Sequence, residues 1–266
     1  MTTHLDGRTV VVTGAAGGFG RLIVQKCAAG GANVVASDVD RVGMSDLESD
    51  NVVAVAADVT VRQEMMDLAQ AAVDRFGSLD VMVNNAGVMP LAFYADHEQA
   101  ADAWDRCIDI NLKGVLHGII AAHDHMISQG RGHVVNISSI YGNFPVAGSA
   151  VYTATKAAVN VLSESLRVES QGKIKVTTVR PTGVPTTGLG GGVVNPEAIV
   201  GILGQHAGRF GEHMAVAGDH SDRETADYWA LTPDDLTDQI IYAIDQPWGV
   251  SIAEITVRAT GEDYIL

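Results

Sequence analysis

No stretch of this chain approaches the ~20 consecutive apolar residues that a membrane-spanning helix needs. The opening Met1–Arg8 also lacks the basic head and apolar stretch of a secretory leader. Basic residues are scarce: 17 Lys and Arg stand against 32 Asp and Glu, a formal net charge of −15. So acidic a surface repels phosphate polymers and anionic lipid headgroups, so neither nucleic acid nor a membrane is an expected partner. There are only two cysteines, Cys27 and Cys107, both in segments that read as helix. That fits two buried thiols in a reducing compartment, and the cytoplasm is the expected location. Several chemical signatures are missing as well. Nine histidines include no His-Glu-x-x-His, and His123 and His125, two apart, fall on different faces of a helix. No metal site is expected. There is no Gly-x-Ser-x-Gly nucleophile elbow and no Walker loop ending in Gly-Lys-Ser/Thr.

What is present is a regular alternation. Hydrophobic residues make up 47% of the 266, enough for a sizeable core. Short apolar runs at Thr9–Thr13, Asn33–Ser37, Val52–Ala57, Leu79–Asn84, His133–Ile137, Lys175–Arg180 and Ile252–Arg258 read as strands. Helical patterns lie between them, near Phe19–Ala29, Arg62–Arg75, Gln99–Ile108, Leu112–Ser128, Val151–Glu169 and Asp234–Ile244. Such alternation predicts an α/β fold: one doubly wound parallel sheet of about seven strands, with helices on both faces. Continuous Val/Ile/Ala runs agree, because strands covered on both faces need no polar side. Ligands of such sheets bind beyond the carboxyl ends of the strands, here Thr13, Ser37, Asn84, Ser138 and Arg180. No repeat or linker divides residues 1–266, so a single domain is expected. The irregular zone 182–231 reads as a segment covering the substrate.

After the first strand comes Thr13-Gly14-Ala15-Ala16-Gly17-Gly18-Phe19-Gly20. Glycines there let the backbone approach a pyrophosphate, and the helix that follows aims free N–H groups at the phosphate charge. Placed between first strand and first helix, Gly14, Gly18, Phe19 and Gly20 form the dinucleotide fingerprint of a Rossmann-like fold. Asp38 ends the second strand, 18 residues past Gly20. A carboxylate there accepts from the adenosine ribose hydroxyls and repels the extra phosphate of NADP. No Arg or Lys lies in the glycine turn, so NAD is the expected cofactor.

Tyr152 and Lys156 are four apart near the start of a long helix. That spacing puts both on one face. A nearby ammonium favours phenolate and so lowers a tyrosine pKa, making the pair an acid/base couple for an alcohol O–H. Ser139 follows the fifth strand, on the side where the cofactor is expected.

Taken together these motifs resemble the short-chain dehydrogenase/reductase family in its NAD-type form, over nearly the whole chain. The resemblance rests on Thr13-Gly14-x-x-x-Gly18-x-Gly20, Asp58-Val59, Asn84-Asn85-Ala86-Gly87, Asn111, Ser139, Tyr152-x-x-x-Lys156 and Pro181. It implies that Tyr152 is the general acid/base and that Ser139 hydrogen-bonds the substrate oxygen. Lys156 would hold the nicotinamide ribose and lower the tyrosine pKa. Asn111 would support a water-linked proton path from Lys156. Asp58 and Val59 would flank the adenine. Asn85 would brace the sheet, with Ala86 and Gly87 near the adenosine ribose. After Pro181, Thr182 stands where the family usually has glycine, while Val184 and Thr186 keep the positions that bind the carboxamide. The family also implies a homotetramer, with Val151–Glu169 and Arg258–Leu266 as candidate contacts.

The expected activity is NAD(H)-dependent interconversion of a secondary alcohol and a ketone. Tyr141, Asn143, Phe144, Thr182, Leu189 and Met214 are the candidate pocket residues. The apolar ones favour a cyclic or aromatic substrate. Two rivals remain: a cyclic diol dehydrogenase, with Asn143 as its extra polar partner, and a non-catalytic dinucleotide sensor.

Overall fold

The computed structural model describes residues 4–185, 187–199 and 223–262. Seven strands form one sheet: β1 (Thr9–Thr13), β2 (Asn33–Asp38), β3 (Val52–Ala56), β4 (Val81–Asn84), β5 (Gly132–Ile137), β6 (Ile174–Pro181) and β7 (Glu254–Val257). Their spatial order is β3-β2-β1-β4-β5-β6-β7, and every pairing is parallel. Six α-helices lie wholly within the described residues: α1 (Gly18–Ala29), α2 (Arg62–Phe76), α3 (His97–Ile108), α4 (Val115–Gln129), α5 (Ala150–Glu169) and α6 (Pro233–Ile244).

The layering follows from the two-residue side-chain period of a strand. On β1, Val10 and Val12 pack with Ile23 and Cys27 of α1 and with Leu236 and Ile240 of α6. Val11 faces the other way, among Met65 of α2, Ile119 of α4 and Val159 of α5. Both faces are dry, which is why β1 is apolar along its length and buried at all five positions. The chain steps outward from β1 to β3, then returns to place β4 on the other side of β1. A crevice therefore opens between the ends of β1 and β4.

Helix ends are set locally. Gly77 and Gly130 terminate α2 and α4 with φ of 84° and 69°, a conformation that only glycine adopts without strain. Thr232 and Asp235 cap α6 reciprocally, with Pro233 in its first turn.

Three departures from the expected boundaries have a visible local feature. β4 starts at Val81 rather than Leu79. The reason is that the Gln129 side chain takes both Leu79 backbone groups, at 3.1 and 3.0 Å. β7 is shorter than Ile252–Arg258, and the Ile252 carbonyl accepts instead from the Thr177 hydroxyl at 2.6 Å. Between α3 and α4 the chain makes a π-helical turn over Asp109–Gly114. Such widened turns recur at functional sites.

The amino ends of the strands are closed by a cationic cluster around Trp248. Arg8, Arg131 and Lys175 lie 4.2, 5.2 and 5.4 Å from its ring centroid. Arg8 also donates to the carbonyls of Ile244 and Gln246 at the end of α6. Lys175 Nζ reaches the carbonyls of Gln246, Pro247 and Val250 at 3.1–3.4 Å.

Candidate active site

At the opposite, carboxyl end of the sheet lies a cleft of about 1550 Å³. It reaches from the glycine turn at β1 to the segment after β6. The glycine turn is fixed by backbone geometry. Gly14 has φ 68°. A Cβ on Gly20 would lie 2.1 Å from the Gly14 carbonyl oxygen, so only glycine lets the turn close on the helix. No side chain caps α1, and Gly17 and Gly18 line the cleft at that helix start. The first-turn N–H groups are thus free to meet an anion. Asp38 Oδ2 accepts from the Ala16 amide at 3.1 Å and Oδ1 from the Asp40 amide at 3.0 Å, which ties the end of β2 to the glycine turn. The two nearby guanidinium groups are already paired, Arg21 with Asp46 and Arg41 with Glu48.

Where β1 and β4 part, Thr13 and Asn85 lace the crevice. Asn85 Nδ2 donates to the carbonyls of Thr13 at 2.8 Å and Gly14 at 3.2 Å. Thr13 Oγ1 accepts from the amides of Asn85 and Ala86. Asp58 caps its own turn by accepting from the Thr60 amide at 2.8 Å, beside buried Val59 on the cleft wall.

Ser139, Tyr152 and Lys156 are brought together on one wall, each under 6% exposed. Ser138 and Ser139 follow directly on β5, and α5 carries Tyr152 and Lys156. Ser138 Oγ bonds the Lys156 carbonyl at 3.0 Å and the Asn160 side chain at 2.7 Å, fastening α5 to the end of β5. Lys156 Nζ lies 5.7 Å from the Tyr152 ring centroid and donates to the Ile137 carbonyl at 2.7 Å. Asn111 is fully buried in the π-helical turn. Its Nδ2 donates to the Val88 carbonyl at 2.8 Å, and its Oδ1 accepts from the Val88 amide at 2.9 Å. Cys107 Sγ and Thr155 Oγ1 sit 3.3 and 3.4 Å from the same Nδ2. Asn111 thereby holds the segment after β4 against the helices. Gly87 sits close beside both: a Cβ built there would lie 3.3 Å from Asn111 Oδ1 and 3.7 Å from Lys156 Nζ.

Burial governs the titration of this wall. It pushes the Tyr152 phenol up to about 12, against the hydrogen bond from Ser139. It pulls the Lys156 ammonium down to about 8. In the chain by itself the phenol is therefore harder to ionise than a free tyrosine, contrary to the expectation that Lys156 alone makes it acidic. Desolvation outweighs a cation whose Nζ is directed at a backbone carbonyl.

Among the pocket expectations, Tyr141, Phe144, Thr182 and Leu189 line the cleft. Asn143 does not. It is exposed, and its amide closes the short turn Ile140–Gly142 at 3.1 Å from the Ile140 carbonyl. That turn carries it off the wall and removes the polar partner invoked for a diol. Thr186 and Met214 lie outside the described residues. Of the zone 182–231, residues 182–185, 187–199 and 223–231 are described, and Val184, Leu189, Val193, Ile199, Trp229 and Ala230 stand on the cleft. Gly261 and Glu262, from the segment offered as a subunit contact, also line it. Neither carries a motif that sequence reading would single out.

A family model described as short chain dehydrogenase matches residues 8–194. An uncharacterized oxidoreductase of Staphylococcus aureus (strain MW2) is 33% identical over 260 residues, covering 96% of this chain and 99% of the relative. Among solved structures, a closed form of serine dehydrogenase complexed with NADP+ superposes with a TM-score of 0.79 at 27% identity, covering 96% of each chain. A short-chain dehydrogenase/reductase from Burkholderia phymatum in complex with NAD gives a TM-score of 0.76 at 26% identity, covering 95% of this chain and 89% of that one. The chain belongs to the short-chain dehydrogenase family and is an oxidoreductase of that family.

Proposed function

We propose that this oxidoreductase uses NAD(H) to interconvert a secondary alcohol and a ketone on an apolar, cyclic or aromatic substrate. One observation carries the reading: Ser139, Tyr152 and Lys156 stand on the wall of the same cleft that the glycine turn and Asp38 line. The residues fit a dinucleotide. The uncapped start of α1 offers N–H donors for a pyrophosphate, and Asp38 offers a carboxylate for ribose hydroxyls. The cleft exceeds the about 300–1,000 Å³ of common small-molecule sites, which leaves room for a second molecule. Related structures carry NADP+ in one case and NAD in another, so the choice rests on this chain's own groups. Asp38 repels a 2′-phosphate, and Arg21 and Arg41 are engaged by Asp46 and Glu48. This favours NAD.

When bound, an oxidised nicotinamide would supply a hydride acceptor and a positive charge. Tyr152 takes the alcohol proton on Oη. Ser139 Oγ holds the substrate oxygen where charge develops. The Lys156 ammonium stabilises phenolate once a second cation offsets the burial that holds the pKa up. Asn111, its amide committed to Val88, supports the proton path by fixing Gly87 and Val88 beside Lys156. Met89, Leu91, Val146 and Ile199 give the remaining wall an apolar character. A sensor would have no use for three buried polar groups converging on an apolar wall.

The test is incubation with NAD or NADP and a panel of secondary alcohols, followed by the absorbance of reduced dinucleotide. Reduction with NAD in preference to NADP is the expected result. No reduction with any alcohol would refute the reading. A homotetramer in the cytoplasm completes the proposal. Val161 and Val168 on α5, 66% and 74% exposed, support assembly through that helix. Light scattering on the eluted protein measures the mass directly.

A further inference from the structure

Glu262 is a buried carboxyl on the cleft wall, only 9% exposed, with no part in the chemistry above. Its Oε1 accepts from the Gly183 amide at 2.7 Å. Its Oε2 lies 2.6 Å from Thr182 Oγ1, and that hydroxyl lies 3.0 Å from the Val257 carbonyl. Thr182 has one hydroxyl proton and two oxygens in reach. A protonated carboxyl satisfies every atom: Oε2–H donates to Thr182, Thr182 donates to Val257, and Gly183 N–H donates to Oε1. Burial favours the same state, raising the Glu262 carboxyl above its ordinary range against the bonds from Thr182 and Gly183 and the charge of Arg258. Arg258, on its own segment, is the charged group that acts on it. Thr182, Gly183 and Val257 bring no titratable side chain, and the Tyr228 phenol of the adjoining stretch is committed to Asp235 at 2.6 Å.

The surrounding chain converges on this point. Gly261 N donates to the Tyr228 carbonyl at 2.7 Å, and Leu231 N to the Gly183 carbonyl at 3.0 Å. Tyr228, Leu231 and Ala259 pack against Val184 and Val257. Three stretches of chain distant in sequence thus meet at the turn after β6. Thr182, which departs from the family's usual glycine, is one half of the latch; a glycine there would leave Oε2 without its partner.

We propose that Glu262, as a neutral acid, is a positioning residue that locks the turn at Thr182–Val184 into the shape required by the nicotinamide end of the cofactor cleft. This rests on the dinucleotide reading, and the test separates the two. Affinities of NADH and of ADP-ribose, which lacks the nicotinamide ring, are measured by fluorescence titration on wild type, Glu262→Gln, Glu262→Leu and Thr182→Val. Glu262→Leu and Thr182→Val should weaken NADH about tenfold, the cost of a buried polar group left unpaired, while ADP-ribose changes less than about twofold. Glu262→Gln, whose amide reproduces the donor to Thr182 and the acceptor for Gly183, should stay within about twofold of wild type for both. NADH affinity of wild type should fall as pH rises through the titration of Glu262, and that of Glu262→Gln should not. Equal loss of NADH and ADP-ribose would reduce Glu262 to general scaffolding and overturn the proposal. Unchanged NADH affinity in Thr182→Val, a milder change that spares the carboxyl, would also overturn it. Loss in Glu262→Gln as large as in Glu262→Leu would overturn the neutral acid. Failure of wild type to bind either probe would instead sink the dinucleotide reading itself.

Discussion

The two ends of the sheet each bury a lysine, and the two have opposite surroundings. At the amino end Lys175 meets three backbone carbonyls and the face of Trp248. At the carboxyl end Lys156 has a single carbonyl, that of Ile137, and the edge of a cleft. Burial lowers both to about 8, at Lys175 with repulsion from Arg8 added. The lowered values are alike; the acceptors are not. At one end backbone oxygens gather round the charge and the cluster closes the fold. At the other, donors and acceptors are left facing open volume, which is what a site for ligand and proton transfer requires. The energetic cost of function is concentrated where the partners are missing.

The largest test of that contrast is Tyr152→Phe. The ring keeps its place among Cys107, Ile140 and Tyr141, and only Oη is lost. Turnover of any alcohol that the panel identifies should fall by about 10²–10⁴-fold, the range for a positioned acid/base group. NADH affinity and unfolding temperature should hold. Retained turnover would show that the carboxyl end does not do its chemistry through this phenol.

Next comes the lysine pair. A lysine whose folded pKa lies below its unfolded value binds fewer protons folded than unfolded. Stability therefore rises with pH between the folded value, about 8, and the ordinary 10.5, and is lost as pH falls through 8. For buried Lys156 the span is worth roughly 3 kcal/mol. Lys156→Met should raise the unfolding temperature of the cofactor-free protein at neutral pH by several degrees and flatten part of that slope. Lys175→Met should lower it, because three carbonyls lose their donor. If both substitutions move stability in the same direction, the contrast between the ends is wrong.

A finer test lies within the carboxyl end. Asp38→Asn keeps an acceptor for the Ala16 amide and removes only charge. The ratio of NADP to NAD affinity should rise about tenfold, about 1.4 kcal/mol. An unchanged ratio would show that Asp38 serves only to tie β2 to the glycine turn.

The carboxyl end was also the more legible in sequence, for a physical reason. Tyr152 and Lys156 are neighbours because a helix makes them so, and Gly14 to Gly20 form one continuous turn; local rules suffice. Contacts made across the fold left no such trace. Glu262 reaches Thr182 and Gly183 from 80 and 79 positions away, from a segment without a motif. The π-helical turn at Asp109–Gly114 slips the helical period within an otherwise regular pattern, so α4 begins at Val115 and not Leu112. Gln129 occupies the Leu79 backbone through its side chain, which no strand pattern encodes. The central strands β1, β2 and β4 were visible because their apolar runs are buried on both faces. Their ends were not, because side chains decide them.

The amino end offers the mildest test. Trp248 is half-buried, with Arg8, Arg131 and Lys175 all within 5.4 Å of its ring centroid. Arg8 and Lys175 keep their carbonyl acceptors whatever occupies position 248, because those bonds run to backbone. Only the ring face is lost in Trp248→Leu, and cation–π contacts at partly exposed sites are each worth about 0.5–1 kcal/mol. The expected destabilisation is about 1.5–3 kcal/mol by denaturant titration, with NADH affinity unchanged because the cleft lies at the other end of every strand. A drop in NADH affinity without a matching loss of stability would mean that the two ends communicate through the sheet, and the division between a closed end and an open one would have to be redrawn.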